Sequence, residues 1–390
     1  MKSRGRLFVL AVSIPIIAFA VIGGFMGNAM AAKQDSYQYL RIFEDVVTRI
    51  LNDYVEEPKI DDVMAGAMHG LADGLDPDSA YLTAQQTKSH EQNESAGGGQ
   101  TGIELTRQYY LRVIAARDGS PAAKAGLQPG DYIRAIDGQS TRDTTVFQGM
   151  RLLRGKPGTT VRLTVLRGNA VEPHDVQIVR EALSAAPVRG RMVATDTGYL
   201  RIAEFSKTTS DELRSEAAAL RKSGATRFIV DLRGTAFGDI DAGLGAARLF
   251  VPSGTLAFRQ ERGKEREPVA AASGDGALNM PVAVLTDLGT SGAAEIFAAA
   301  LKDNKRGSLI GERTLGRAGQ QKLVRLPDGS SLLLTHLTYL TPGGAPIHEK
   351  GVTPDVAVEQ PDVEFGDALP TPDKTLEKAL EHLTSLAKAA

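Results

Sequence analysis

The sequence contains no cysteine and no tryptophan. Without cysteine there are no disulfides, no thiolate nucleophile and no Cys-based zinc site, which is compatible with an oxidising compartment without requiring one. The six histidines are scattered, with no His-Glu-x-x-His or paired spacing of the kind that binds zinc, so no metal and no cofactor is expected. A formal net charge of -2 provides no bulk attraction to nucleic acid or to anionic lipid.

What is present is the composition of an ordinary globular protein. At 390 residues, 42% hydrophobic and 24% charged, the chain is long enough for two or three domains with a sizeable core. Lys2, Arg4 and Arg6 precede an uncharged run from Leu7 to Met26, followed by Gly27-Asn28-Ala29-Met30-Ala31-Ala32. A basic start, an apolar run and Ala29-Met30-Ala31 make an export signal cleaved after Ala31. The run is about 20 residues, equally long enough to remain as a membrane anchor. Residues 1–31 are therefore expected to be a signal peptide or membrane anchor, with the remainder exported to the periplasm or the outer face of the inner membrane.

Beyond it, Tyr37, Leu40, Val46 and Ile50 recur at helical spacing, and Asp61 to Leu75 reads as a second amphipathic helix. Glu91 to Gly99, polar and then triple glycine, reads as a flexible link. From Pro187 to Pro361 strands alternate with helices. Phe228 to Leu232 and Val282 to Leu285 read as buried strands, Asp239 to Phe250 and Ala293 to Asp303 as helices, which argues a parallel-containing sheet. Gln321 to Leu326 and Ser331 to Thr335 form a hairpin around Pro327-Asp328-Gly329-Ser330. Asp373 to Ala389 is a last amphipathic helix, expected to pack on the body.

The most informative stretch is Pro281 to Gln321, where a strand enters a small-residue turn, a helix and a second Gly-rich turn. Gly289 to Ile296 resembles the Gly-Ser-Ala-Ser-Ala-Ser-Glu-Ile motif of the carboxyl-terminal processing peptidases (tail-specific proteases). Gly311 to Gln321 resembles their Gly-Glu-x-Thr-x-Gly-Lys-Gly-x-x-Gln motif. The resemblance implies a serine nucleophile in the first and a lysine base in the second; here those positions hold Gly292 and Arg317, while Gln321 matches the family's glutamine. Glycine has no side chain to attack a carbonyl, and arginine stays protonated. Asp231 to Gly238 resembles the family's Asp-Leu-Arg-x-Asn-Pro-Gly-Gly turn, implied to help form the oxyanion hole. Its Pro-Gly-Gly reads Ala236-Phe237-Gly238, so Phe237 stands where glycine angles are expected. Leu75 to Leu82 resembles the Leu-Asp-Pro-His-Ser-x-Tyr-Leu signature, with Asp78 in place of histidine; the bland alternative for it is a simple turn.

Gln100 to about Ala182 resembles a PDZ domain, most specifically Ser120 to Gly138 with its Pro-Ala-x-x-Ala-Gly and Gly-Asp-x-Ile core. PDZ modules bind by strand addition, backbone N–H groups holding the C-terminal carboxylate of the peptide. The corresponding peptide-binding residues are Thr101, Gly102, Ile103 and Leu105, with Gln100 departing from the family's Gly-Ile-Gly-Ile. The expected fold is α/β multidomain: a helical region over 33–96, a PDZ domain over 97–185 before an α/β peptidase-like core over 187–361, and a C-terminal helix over 362–390.

Two functions follow. One is an exported pseudo-peptidase that binds protein C-termini as an adaptor, a decoy or a partner of an active relative. The other is a serine endopeptidase with Ser291 as displaced nucleophile and Lys302, Lys305 or Lys322 as base, although Thr290 and Ser291 read first as turn or N-cap hydroxyls.

Overall fold

The computed structural model describes residues 37–92, 98–168, 172–360, 363–367 and 371–389. The N-terminal apolar run and its expected cleavage point lie outside the described residues, among which no helix is long and apolar enough to cross a membrane. Two compact units divide the chain. The first, up to Met68, holds helix α1 (37–53) and the start of α2 (Ile60–Asp73).

The second unit, from His69 onward, opens with a turn in which Asp76 accepts the N–H groups of Asp78 and Ser79 at 2.9 and 2.7 Å. This Asx-type turn leads into β1 (Ala80–Leu82) and α3 (Ala84–Glu91). The PDZ domain follows, with β2 (Ile103–Gln108), β3 (Tyr110–Ala116), α4 (Pro121–Lys124), β4 (Tyr132–Ile136) and β5 (Gln139–Ser140), then α5 (Val146–Leu152), β6 (Thr160–Leu166) and β7 (His174–Val179). Its sheet runs β2-β3-β4-β6-β7, with β5 against β4. Side chains alternate as a half-buried sheet requires: Val161, Leu163 and Val165 enter its core while the residues between them face out. β2 is an edge strand with α5 packed beside it.

The larger α/β core begins with β8 (Arg189–Ala194), β9 (Thr197–Arg201), β10 (Glu204–Phe205) and α6 (Thr209–Lys222). It continues through β11 (Arg227–Asp231), β12 (Phe237–Gly238), α7 (Ile240–Arg248), β13 (Thr255–Glu261), β14 (Glu267–Ala270), β15 (Val282–Thr286) and α8 (Ala293–Asp303). It closes with β16 (Gly307–Gly311), β17 (Gly319–Arg325), β18 (Ser331–Leu340), β19 (Val356–Ala357) and α9 (Lys374–Ala389). The central sheet runs β19-β16-β15-β11-β9-β8, parallel except for the antiparallel β8 edge. Its strands are continuous apolar runs because both faces are covered. Phe228, Val230, Val282 and Val284 pack with residues of α6, α7 and α8, whereas Ile229, Ala283 and Leu285 meet Ala379 and Leu383 of α9. Helix α9 is seated by charge as well: Arg233 bonds Asp231 at 2.6 Å and Asp373 at 2.8 Å, and Asp373 in turn accepts the N–H of Leu376 at 3.0 Å.

A second, antiparallel sheet is built around β18. The expected hairpin is longer than its sequence pattern, and β18 also takes β1 and β13 at different ends, with β14 beyond. Strand β1, three residues long, is too short to show a period in the sequence.

The PDZ domain is fastened to the core by several pairs. Arg117 pairs with Glu204 and donates to Ser184 O at 2.5 Å, and Arg201 meets Asp118 at 2.8 Å. Phe365, from the segment between β19 and α9, stacks on His174 at 4.9 Å and lies 4.8 Å under the guanidinium of Arg167. Arg167 is itself locked by Asp131 at 2.7 Å.

Leu383 is 1% exposed between α9 and the central sheet, so Leu383→Ala is expected to cost about 2–5 kcal/mol. Urea unfolding measures it, and a loss below about 1 kcal/mol would show that α9 is not part of the core.

Candidate active site

The turn after β15 is closed by its own side chains. Asp287 accepts the N–H of Gly289 at 2.9 Å and that of Gly234 in the neighbouring turn at 2.9 Å, while its own N–H donates to the Thr290 hydroxyl at 3.1 Å. Burial pushes the Asp287 carboxyl above the usual range against the pull of the Gly234 N–H. The Thr290 hydroxyl lies 2.9 Å from Leu232 O, and Ser291 N–H donates to Thr235 O at 3.0 Å.

Gly292 is the N-cap of α8, with φ 62° and ψ -119°. This is a left-handed φ that L side chains rarely adopt. A Cβ added there would meet only Arg317 O, at 3.8 Å, so the constraint is backbone strain rather than space.

Three residues on, Glu295 is wholly buried and accepts four hydrogen bonds. They come from Gly292 N–H at 3.0 Å, Arg317 N–H at 2.7 Å, Gly316 N–H at 2.6 Å and the Thr314 hydroxyl at 2.5 Å. One carboxylate thus ties the start of α8 to the loop before β17. Burial pushes its carboxyl up to about 7, against the opposing pull of Thr314 and the three backbone donors.

The side chain of Arg317 turns toward two acids. Its Nε lies 2.8 Å from Asp78 and its Nη1 2.5 Å from Glu104 of β2. Burial works against this charge, but Asp78 and Glu104 outweigh it and hold the guanidinium above even its usual range.

Gln321 follows a bulge in the β17–β18 pairing and lies 3.4 Å from the Thr335 hydroxyl. Phe237 takes no left-handed φ. Among the described residues the positive angles of this turn belong to Gly234 (63°) and Gly238 (115°), and a Cβ on Gly238 would fall 2.0 Å from Phe205 O. Phe237 lies in strand β12, and its ring lies 5.9 Å beneath Arg117. Thr290 is a turn hydroxyl, and Ser291 is 2% exposed, just before the cap. Lys302 stands at the far end of α8, bonded to Thr353 O at 2.6 Å and 3.3 Å from Asp355; Lys305 follows that end, and Lys322 is exposed on β17.

In the PDZ domain, Gly102 has φ 81° and its Cβ would collide with Ser120 at 2.2 Å. Thr101 O accepts Ala122 N–H at 3.0 Å and Gly102 O accepts Arg117 N–H at 2.8 Å. Ile103 and Leu105 point into the domain core, and Glu104 between them points to Arg317. Glu104 is the site residue that sequence reasoning missed; its only signal was an acidic side chain between two inward apolar ones. Among the described residues there is no cluster of three acidic or histidine side chains able to hold a metal.

The carboxy-terminal-processing protease of Bartonella bacilliformis is 32% identical over 362 residues, covering 88% of this chain and 83% of its own. The chain belongs to the carboxy-terminal processing proteases of peptidase family S41. The Peptidase family S41 model matches residues 196–358 and a PDZ domain model residues 112–167. The carboxy-terminal processing protease CtpA of Bacillus subtilis is 32% identical over 368 residues, 93% of this chain and 79% of its own. Among solved structures, the photosystem II D1 C-terminal processing protease superposes with a TM-score of 0.67 at 26% identity, over 81% of this chain and 92% of its own. This S41 chain therefore has the family's order, with the PDZ domain before the α/β core and a helix at the C-terminus.

Two outcomes are expected. The folded value of about 7 for Glu295 lies above its ordinary 4.5, so the folded chain retains a proton that the unfolded chain has lost between those values. Its contribution, roughly 3 kcal/mol, is whole below about pH 4.5 and is lost as pH rises through 7. Urea unfolding at pH 5 and pH 8 should show that fall, and Glu295→Gln should abolish it; an unchanged slope in the variant would assign the effect elsewhere. Gly292→Ser should fold but lose about 1–3 kcal/mol to its left-handed φ, and no loss would mean that the turn relaxes.

Proposed function

We propose that this S41 chain is an exported, non-proteolytic member of its family that captures protein C-termini through its PDZ domain, as an adaptor, a decoy or a partner of an active relative. One observation carries the reading. Where the family motifs have serine and lysine, this chain has a glycine at a helix cap of left-handed φ and an arginine held between two carboxylates. Arginine cannot take up the proton that a general base must accept.

The displaced-nucleophile reading has less support. A general base must lie within hydrogen-bond reach of the hydroxyl it activates. Lys302 is about 15 Å along α8 from Gly292, at 1.5 Å per residue, and its ammonium is already engaged by Thr353 and Asp355. Ser291 is buried, and its main-chain N–H is engaged by Thr235 O. Binding of C-termini is supported by β2 lying at the sheet edge beside α5, the arrangement that strand addition needs.

The test mixes the full chain with an unfolded protein ending in apolar residues, beside a Ser291→Ala variant. The expected result is no cleavage by either, with binding that weakens at least tenfold when the terminal carboxylate is amidated. Cleavage by the unaltered chain that disappears in Ser291→Ala would overturn the reading in favour of an active serine peptidase.

A further inference from the structure

Arg317 is held by groups from two elements remote in sequence, Asp78 of the turn before β1 and Glu104 of the PDZ edge strand. Their side chains are only 6% and 17% exposed, and that of Arg317 24%, so water screens the three charges weakly. The other charged groups around the position also include acids. Glu295 of α8 takes the main-chain N–H of Arg317 at 2.7 Å, and the loop over Gly316 carries His348, Glu349 and Lys350, with Glu349 N–H on Gly316 O at 2.7 Å.

The geometry bears on more than arginine. A lysine carries its nitrogen one bond beyond the place of Nε, where the guanidinium carbon of Arg317 lies. Its ammonium would therefore fall between the carboxylate 2.8 Å from Nε and the one 2.5 Å from Nη1. An opposite charge at such range favours the protonated form by about tenfold to a thousandfold.

We infer that Asp78 and Glu104 form a carboxylate cage that keeps any basic side chain at position 317 protonated, so that the loss of general-base chemistry resides in these two acids as much as in the arginine. The inference rests on the non-proteolytic reading above. The motif departures then form one device: an acid replaces the histidine expected at 78, a permanent cation replaces the lysine expected at 317, and Glu104 completes the pair from the PDZ domain. Asp78 and Glu104 are positioning residues in this sense, acting through the side chain at 317.

The test uses the full chain carrying Arg317→Lys, with and without Asp78→Asn and Glu104→Gln. The pH dependence of acetylation of that lysine is read by mass spectrometry on protein shown to melt cooperatively. The midpoint is expected above the ordinary lysine value of about 10.4 in the single variant, and at least one pH unit lower in the triple variant. A single-variant midpoint at or below the ordinary value would overturn the cage, as would an unchanged midpoint in the triple variant. Where the triple variant does not fold, the single variant still decides. Cleavage of substrate by the unaltered chain would instead overturn the proposed function and leave the lysine titration to be judged separately.

Discussion

The buried carboxylate of Glu295 is the contact on which the site depends. Four donors converge on it from the cap of α8 and from the loop of Thr314, Gly316 and Arg317. A buried carboxylate is costly unless its oxygens are fully engaged, so the arrangement is cooperative: the turn and the loop must both be in place for either to be stable. That coupling sets Gly292 beside the carbonyl of Arg317, 3.8 Å from where its Cβ would be, and it sends the side chain of Arg317 away from α8 toward Asp78 and Glu104.

The same arginine therefore joins three parts of the second unit. Its backbone belongs to the α/β core, one carboxylate to the segment before β1 and the other to the PDZ sheet edge. Together with Arg117 on Glu204, Arg201 on Asp118 and Phe365 against Arg167, it fixes the face of β2 opposite the apolar side chains of Ile103 and Leu105. A guanidinium suits this task because its charge is spread over a plane of diverging nitrogens, so that Nη1 donates to Glu104 while Nε lies 2.8 Å from Asp78. Lysine offers a point charge on a flexible stem.

Much of this is legible in the sequence because it is local. The central strands announce themselves as unbroken apolar runs, α8 as a helical pattern after small residues, and the PDZ turns as Gly126, Gly130 and Gly138, all with left-handed φ. The motif positions 292 and 317 follow from the same local patterns. What is not legible is pairing across long separations. Glu104 and Arg317 are 213 residues apart, and nothing in the periodicity of β2 says which domain its outward acid faces. Strand β1 escapes because three residues show no period. At the turn after β11 the left-handed angles fall on Gly234 and Gly238, on either side of Phe237, a distribution that local sequence pattern does not reveal.

The backbone at position 292 bears on how such a site persists without its expected side chain. A strained cap costs of order 1–3 kcal/mol when a Cβ is present, and the surrounding contacts must over-determine it. Glycine removes most of that strain but leaves the capping bond to Glu295 intact, so the turn keeps its shape at less cost. The loop that Glu295 holds also carries the arginine that pairs with Glu104 of the PDZ domain. The hydrogen bonds of Glu295 hold the turn at 292 and the loop of Arg317 together, so this architecture does not depend on a side chain at 292.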